Sequence, residues 1–282
     1  MKIVQLTDTH ISSRGGATTD NLEKFVELIN QIDPVFVVHT GDVAILDPDN
    51  DQDRRAADKI LQGINAPLRV LPGNHDVGEG MGNAWAGIVT TPERLVGFQA
   101  VFGEDRWLEI VGEWALIGFN SEIMGSGMAE ETAQWEWLET LPAQIGNRPT
   151  LVFCHKPVWN PYEEESLEHN IAIPTAARDR LLEVLADVDV KGFGSGHLHH
   201  FALNTRPTAK GEATTITAPA TGFAGDPENV PGRGVAQQGI VEYALDGRDL
   251  TALFRNLANL AEGPAIDIPE FQAALDDLGV TI

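Results

Sequence analysis

The chain of 282 residues contains a single cysteine, Cys154, and only 19 lysines and arginines against 42 aspartates and glutamates. One cysteine excludes an internal disulfide and favours a reducing compartment. We also expect no signal peptide, because Met1 leads directly into a short strand-like segment, and the sequence contains no apolar run long enough to span a membrane. We therefore expect a cytoplasmic protein that has no membrane partner.

Positive charge is scarce throughout the chain, and the formal net charge is −23. A field of this sign repels nucleic acid polymers and anionic membrane surfaces at long range, so these are not expected partners. An anionic small substrate would then require a local source of positive charge, which a metal centre could provide. The hydrophobic content of 43% is sufficient for one large domain or two small ones.

Short apolar runs alternate with helical patterns in the first third of the chain, at residues 2–6, 35–38 and 67–71. A helix is predicted between the first two runs, capped by Thr19 or Asp20 and ended by Asp33 and Pro34. This alternation is typical of an α/β fold. Further segments are predicted as strands at 107–111, 114–119, 150–153, 190–193, 214–217, 239–245 and 250–254, and as helices at 130–141, 174–188 and 268–278.

Polar side chains follow each of the first three predicted strands. Asp8 and His10 follow the first, Asp42 follows the second, and an Asn74-His75-Asp76 run follows the third. Ligands in open α/β sheets bind beyond the carboxyl ends of the strands. Taken alone, each group is equally compatible with a turn or a helix cap, because Asn, Asp and Gly favour turns.

Histidines also follow two later predicted strands: His155 follows residues 150–153, and His197 and His199 follow residues 190–193. If the last two continue an extended strand, both rings point to one face. His155 alone is more typical of a core histidine, which is also our interpretation of His39, whereas His200 is expected to be exposed or to support its neighbours. Carboxylate, amide and imidazole ligands suit Mn, Fe or Zn. The candidate ligands are too many for one ion and predict two ions that share Asp42.

Taken in order, these groups resemble the motif set of calcineurin-like metallophosphoesterases: Asp8-x-His10, Gly41-Asp42, Gly73-Asn74-His75-Asp76, His155 and Gly196-His197-x-His199. The resemblance covers Met1 to about His200. Within that superfamily, residues 5–11, 134–138 and 195–199 resemble the class III cyclic-nucleotide phosphodiesterase and glycerophosphodiesterase branch.

The resemblance implies a four-layer α/β/β/α sandwich with two mixed sheets. It implies one metal ion held by Asp8, His10, Asp42 and His199, and a second held by Asp42, Asn74, His155 and His197. His75 would face the phosphate and Asp76 would orient its ring. The implied reaction is hydrolysis of a small phosphodiester by in-line attack of a hydroxide that bridges the ions. A phosphomonoesterase is the alternative, and a non-catalytic metal-binding scaffold is a third.

We expect the catalytic domain to cover residues 1–255. Residues 256–282 form a C-terminal tail with a short helix, which is expected to dock on its own domain or to contact a second subunit in a homodimer. Residues 78–87, 122–128, 159–169 and 219–226 are candidate walls for the substrate. Lys156, Arg233 and His169 are candidate contacts for it.

Overall fold

The computed structural model describes residues 1–80, 84–162, 171–230, 234–261, 263 and 265–280. The strands are β1 (Lys2–Leu6), β2 (Phe36–His39), β3 (Leu68–Val70), β4 (Trp107–Val111), β5 (Trp114–Gly118), β6 (Pro149–Phe153), β7 (Asp189–Ser195), β8 (Ala202–Thr208), β9 (Gly211–Thr217), β10 (Ile240–Asp246) and β11 (Asp249–Arg255). The helices are α1 (Ala17–Ile32), α2 (Asp51–Leu61), α3 (Asn74–Val77), α4 (Pro92–Phe102), α5 (Ala129–Ile145), α6 (Thr175–Val184) and α7 (Pro269–Leu278).

The strands form two mixed sheets. The first has the order β11-β10-β1-β2-β3, with β1, β2 and β3 parallel and β10 antiparallel to β1. The second has the order β4-β5-β6-β7-β9-β8, with β5, β6, β7 and β9 parallel between two antiparallel edge strands. Parallel strands point their carboxyl ends toward one edge, so the loops after β1, β2 and β3 emerge side by side.

Alternation along each strand distributes apolar residues between two faces of each sheet. In β1, Ile3 packs between the sheets, whereas Val4 and Leu6 pack outward with α1, α2 and α4. In the second sheet, Val152 faces α5 and α6, whereas Leu151 and Phe153, on either side of it along the strand, face the first sheet. Three apolar layers therefore separate four layers of secondary structure, which confirms the α/β/β/α sandwich predicted from the family resemblance.

A polar bridge crosses the apolar layer between the sheets. Gln5 of β1 is fully buried, and its Nε2 donates to Thr40 Oγ1 over 2.8 Å and to the Ser195 carbonyl over 3.2 Å. Its Oε1 accepts a hydrogen bond from the Tyr243 hydroxyl. Because a buried amide is stable only when its polar atoms are bonded, Gln5 fixes the ends of β1 and β7 relative to each other.

Helix α4 and strand β8 are among the elements that the sequence interpretation missed. Helix α4 begins after Thr91, whose side chain accepts from the Arg94 N–H, and it has Pro92 in its first turn. Strand β8 is an edge strand that pairs antiparallel with β9 and is mostly exposed, so it shows no alternating apolar pattern. A Thr-Pro helix start was a readable signal for α4; β8 offered none.

Helix α1 begins at Ala17 rather than after a cap at Thr19 or Asp20. The partner of its first turn is Glu270 of α7, whose carboxylate accepts from the Thr18 N–H over 3.0 Å. An anionic group at this helix end is favoured by the helix dipole. The C-terminal helix therefore packs on its own chain and takes the place of a local cap. In the described residues, no helix is long and apolar enough to cross a membrane.

Candidate metal centre

Four side chains converge after β1, β2 and β7. The ligand-capable atoms of Asp8, His10, Asp42 and His199 all lie within 4.8 Å of one another. The Nε2 of His199 is 3.2 Å from Asp8 Oδ1 and 3.1 Å from His10 Nε2. Both carboxylates are buried, so their charge is not dispersed into solvent. We call this group the first cluster.

A second cluster shares Asp42 with the first. The ligand-capable atoms of Asp42, His155 and His197 also lie within 4.8 Å of one another. Asn74 joins them, since its Oδ1 is 3.1 Å from His155 Nε2, which in turn is 3.3 Å from Asp42 Oδ2. All seven candidate ligands from the sequence therefore lie in one place, and Asp42 lies between the two clusters.

The backbone is strained at five of these residues. Asp8, His10, Asp42, His197 and His199 have φ between 48° and 71°, the left-handed region that non-glycine residues rarely adopt. Each such residue costs about 1–3 kcal/mol and persists where its surroundings hold it. Strain concentrated on one set of side chains is a common property of functional sites, and here it aims carboxylates and imidazoles at one another.

Backbone carbonyls fix which imidazole nitrogen faces each cluster. His10 Nδ1 lies 3.2 Å from the Ile45 carbonyl, and His155 Nδ1 lies 2.7 Å from the Thr40 carbonyl. A carbonyl only accepts, so each Nδ1 carries the proton and Nε2 is left to face the site. This arrangement orients a histidine that ligates a metal.

The electrostatics of the site are set by burial and by the two carboxylates. Burial lowers the pKa of His10 to about 3, with His199 acting in the same direction. Burial also acts to lower the pKa of His155, but the adjacent Asp42 carboxylate outweighs it and raises this pKa to about 10. Burial opposes ionisation of Asp42, yet His155 and His75 hold its pKa well below the usual range. His10 is therefore neutral, and a cation bound beside His155 would replace its proton.

The donor set fits a pair of cations. Two buried carboxylates, four imidazoles, two of which have Nε2 oriented by a backbone carbonyl, and one amide oxygen suit Mn, Fe or Zn. The chain contains one cysteine, which lies outside both clusters, so the site has no thiolate ligands of the structural zinc type. The His and Asp side chains thus form a cluster that fits a dinuclear metal site.

His75 borders the shared carboxylate. Its backbone N–H donates to Asp42 Oδ1 over 2.8 Å, and its Nε2 lies 3.7 Å from Asp42 Oδ2. The side chain is 17% exposed, whereas that of Asp42 is 2% exposed. His75 therefore lies on the open side of the site, where a substrate could reach it.

The structure corrects the expected role of Asp76. Instead of orienting the His75 ring, its buried carboxylate accepts from the backbone N–H groups of Val43, Ala44 and Gly73, at 2.9–3.1 Å. Burial and the nearby Asp42 raise the pKa of Asp76 to about 6, although these hydrogen bonds act to lower it. Asp76 thus holds the loops after β2 and β3 together. It acts on the site by fixing the backbone of these loops rather than by contacting the His75 ring.

The structure also corrects the geometry expected for His197 and His199. Strand β7 ends at Ser195, and both histidines lie in a loop with positive φ rather than on an extended strand. Their rings therefore do not share one face: His199 belongs to the first cluster and His197 to the second. The His197 N–H donates to the Asp8 carboxylate over 3.0 Å, which links the loop to β1.

The remaining candidates divide in three ways. His39 is buried, with Nε2 3.1 Å from Thr9 Oγ1 and Nδ1 accepting from the Gly41 N–H, as expected of a core histidine. His200 is buried rather than exposed. Lys156 is buried, and its Nζ lies 3.2 Å from Glu122 Oε2, which argues against the expected substrate contact. His169 and Arg233 lie outside the described residues.

Phe223 lies in the predicted substrate wall 219–226, but the sequence did not predict its contact with two candidate ligands. Its ring centroid lies 4.7 Å from that of His10 and 4.8 Å from that of His199. No sequence signal marks these contacts. The contact with His10 joins segments more than two hundred residues apart, and the contact with His199 depends on a loop conformation.

Comparison with known proteins gives consistent matches. The family model for calcineurin-like phosphoesterases matches residues 1–201. A probable glycerophosphodiester phosphodiesterase of Arcobacter nitrofigilis is 27% identical over 71% of this chain and 72% of its own length. A probable cyclic nucleotide phosphodiesterase of Rhodopseudomonas palustris is 30% identical over 71% of this chain and 72% of its own length. These two relatives support the branch that the motifs indicated.

Among solved structures, the purple acid phosphatase PPD1 of yellow lupin superposes with a TM-score of 0.70 at 14% identity. The match covers 93% of this chain and 52% of the lupin chain, so this chain spans about half of it. At this identity the likeness concerns the fold. Together with the motif order and the two clusters that share Asp42, the family match shows that this chain belongs to the calcineurin-like phosphoesterases.

Proposed function

We propose that the chain hydrolyses small phosphodiesters, of the cyclic-nucleotide or glycerophosphodiester type, at a pair of Mn, Fe or Zn ions. The observation that carries this proposal is the sharing of Asp42 between two ligand clusters, with His75 beside it on the open side. The names of the two curated relatives support a diester as substrate.

The seven candidate ligands divide between two metal positions. Asp8, His10, Asp42 and His199 would hold the first ion, and Asp42, Asn74, His155 and His197 the second. Bound cations supply an activated water and offset the charge of the phosphoryl oxygens. In a chain of net charge −23, that offset explains how an anionic ester could be attracted.

His75 would act on the phosphate directly. Its ring is beside the shared carboxylate and belongs to neither cluster, and we infer that its Nε2 would donate a hydrogen bond to a phosphoryl or leaving oxygen. A proton delivered to the leaving oxygen is general acid catalysis, which typically contributes ~10²–10⁴-fold. Asp76 supports this placement by holding the backbone at Gly73, next to Asn74 and His75.

The test is a substrate panel assayed with Mn-loaded protein: bis(p-nitrophenyl) phosphate, p-nitrophenyl phosphate, 2′,3′- and 3′,5′-cyclic AMP, and glycerophosphoethanolamine. We expect kcat/KM to be highest for a diester, and Asp42→Ala to abolish all turnover. A higher kcat/KM for the monoester would replace the proposal with a phosphomonoesterase. Absence of hydrolysis from a protein that holds two ions would favour the scaffold.

A further inference from the structure

The ring of Phe223 contacts two candidate ligands of the same metal position. It stacks on His10 at 4.7 Å with an angle of 26° between planes, and it meets His199 at 4.8 Å and 54°. Phe223 is 5% exposed, so its ring fills the space behind both imidazoles and excludes water there. Both imidazoles belong to the first cluster.

The backbone that carries Phe223 is fixed to the residues that directly follow β1. The N–H groups of Thr221 and Gly222 donate to the carbonyls of Thr7 and Asp8, at 3.1 and 3.0 Å. These two backbone hydrogen bonds hold residues 221–222 alongside residues 7–8. They place the next residue, Phe223, beside the loop that carries His10. The position of the ring is therefore set by the same backbone that presents Asp8.

Close approach at this point requires glycine. A Cβ at Gly222 would lie 2.7 Å from the Thr9 carbonyl oxygen, so a larger residue would push the loop away. The Gly222 carbonyl accepts from Gln238 Nε2 over 2.7 Å and from Asn21 Nδ2 over 3.1 Å. A loop with its polar groups bonded in this way holds the ring in one place.

The C-terminal helix packs on the other side of the ring. Phe271 of α7 meets Phe223 edge to face, with centroids 5.7 Å apart, and both belong to an apolar cluster with Leu275. The helix is anchored by Glu270, which accepts from the Thr18 N–H at the start of α1. A continuous contact therefore runs from α7 through Phe223 to His10 and His199.

We propose that Phe223 is a positioning residue for the first metal position, and that α7 keeps it in place through Phe271. This inference rests on the proposed dinuclear site. Imidazoles clamped against an aromatic face lose little rotational freedom when they bind a cation, so the clamp raises affinity at that position. The second position depends on Asn74, His155 and His197, and it should be little affected.

The test is a Mn²⁺ titration of the full chain, followed by metal analysis and electron paramagnetic resonance. Replacing a residue that supports a metal ligand typically costs 10–100-fold in affinity. We expect Phe223→Leu to lose this much at the first position, while the second retains wild-type affinity. At limiting Mn²⁺ the variant should then hold one ion. Its spectrum should lack coupling between two ions and match that of Asp8→Ala, the reference variant in which only the second position is occupied.

Two further variants separate positioning from general destabilisation. Phe271→Leu should weaken the first position in the same selective way but less strongly, because Phe223 keeps its backbone anchors. Leu275→Ala removes apolar volume from the same helix and cluster. It should lower thermal stability while leaving both metal affinities unchanged.

Equal affinity losses at both positions in Phe223→Leu, or no loss at either, would overturn the positioning role. A wild-type chain that binds fewer than two ions would instead contradict the proposed function. The two failures are therefore distinguishable without any activity measurement.

Discussion

The backbone N–H of His75 donates to one oxygen of the Asp42 carboxylate, while the His75 Nε2 lies 3.7 Å from the other oxygen. This pairing fixes the position of His75 relative to the residue that both clusters share. The imidazole is therefore held close to where a phosphate would bind, although it is not a member of either cluster.

Replacing His75 should separate chemistry from metal binding. His75→Ala leaves all seven candidate ligands in place, so we expect two ions per chain by metal analysis. Turnover of bis(p-nitrophenyl) phosphate should fall ~10²–10⁴-fold through loss of a proton donor. Turnover like that of the wild type in a fully loaded variant would remove the assigned role.

Replacing the shared carboxylate should have a larger effect on metal content than replacing a ligand of one position. We expect Asp42→Ala to bind neither ion tightly, because it belongs to both clusters. Asp8→Ala and His155→Ala should each retain one ion. Metal stoichiometry after dialysis at fixed free Mn²⁺ measures the difference, and two retained ions in Asp42→Ala would contradict the bridging assignment.

Asp76 should contribute to stability even without metal. In Asp76→Asn, an amide NH₂ group replaces one of the acceptor oxygens that serve Val43, Ala44 and Gly73, leaving a backbone donor unsatisfied. We expect the free energy of unfolding to fall by about 1–3 kcal/mol in chelated protein. The matched control is Asp49→Asn, which removes an exposed carboxylate paired with Arg94 and should cost less than 1 kcal/mol.

Chelation should lower thermal stability. Asp8 and Asp42 are buried close together, and a cation that binds only the folded chain stabilises it by mass action. At free Mn²⁺ about 100 times each dissociation constant, the gain is ~2.7 kcal/mol per ion, which for two ions corresponds to roughly 9 °C in Tm. Differential scanning fluorimetry with and without EDTA measures this shift. Asp42→Ala should show none, and an equal shift in that variant would point to binding elsewhere.

Parts of the fold could be predicted from the sequence where a local pattern of apolar residues is enough to identify a strand. The apolar runs before Asp8, Asp42 and Asn74 became β1, β2 and β3, because buried parallel strands are continuous apolar segments. The meeting of their polar ends followed from sheet geometry. The four-layer arrangement required the family resemblance, since no local pattern reports how two sheets pack.

The features that escaped prediction depend on distant contacts. The start of α1 is set by Glu270, 252 residues away from Thr18, and the fit of Phe223 depends on a loop that follows β9. The conformation of the loop with His197 and His199 depends on a hydrogen bond to Asp8. Single-sequence patterns carry no information about such partners.

The candidate ligands are distributed over both sheets: Asp8, Asp42 and Asn74 follow strands of the first, and His155, His197 and His199 follow strands of the second. The spacing between the sheets therefore sets the separation of the two ligand groups. Residues in the middle of the sandwich, such as Phe153 and Tyr243, therefore act as spacers between the two ligand groups. A substitution that changes the thickness of this apolar layer would therefore change the separation of the two ligand groups, although every ligand stays the same.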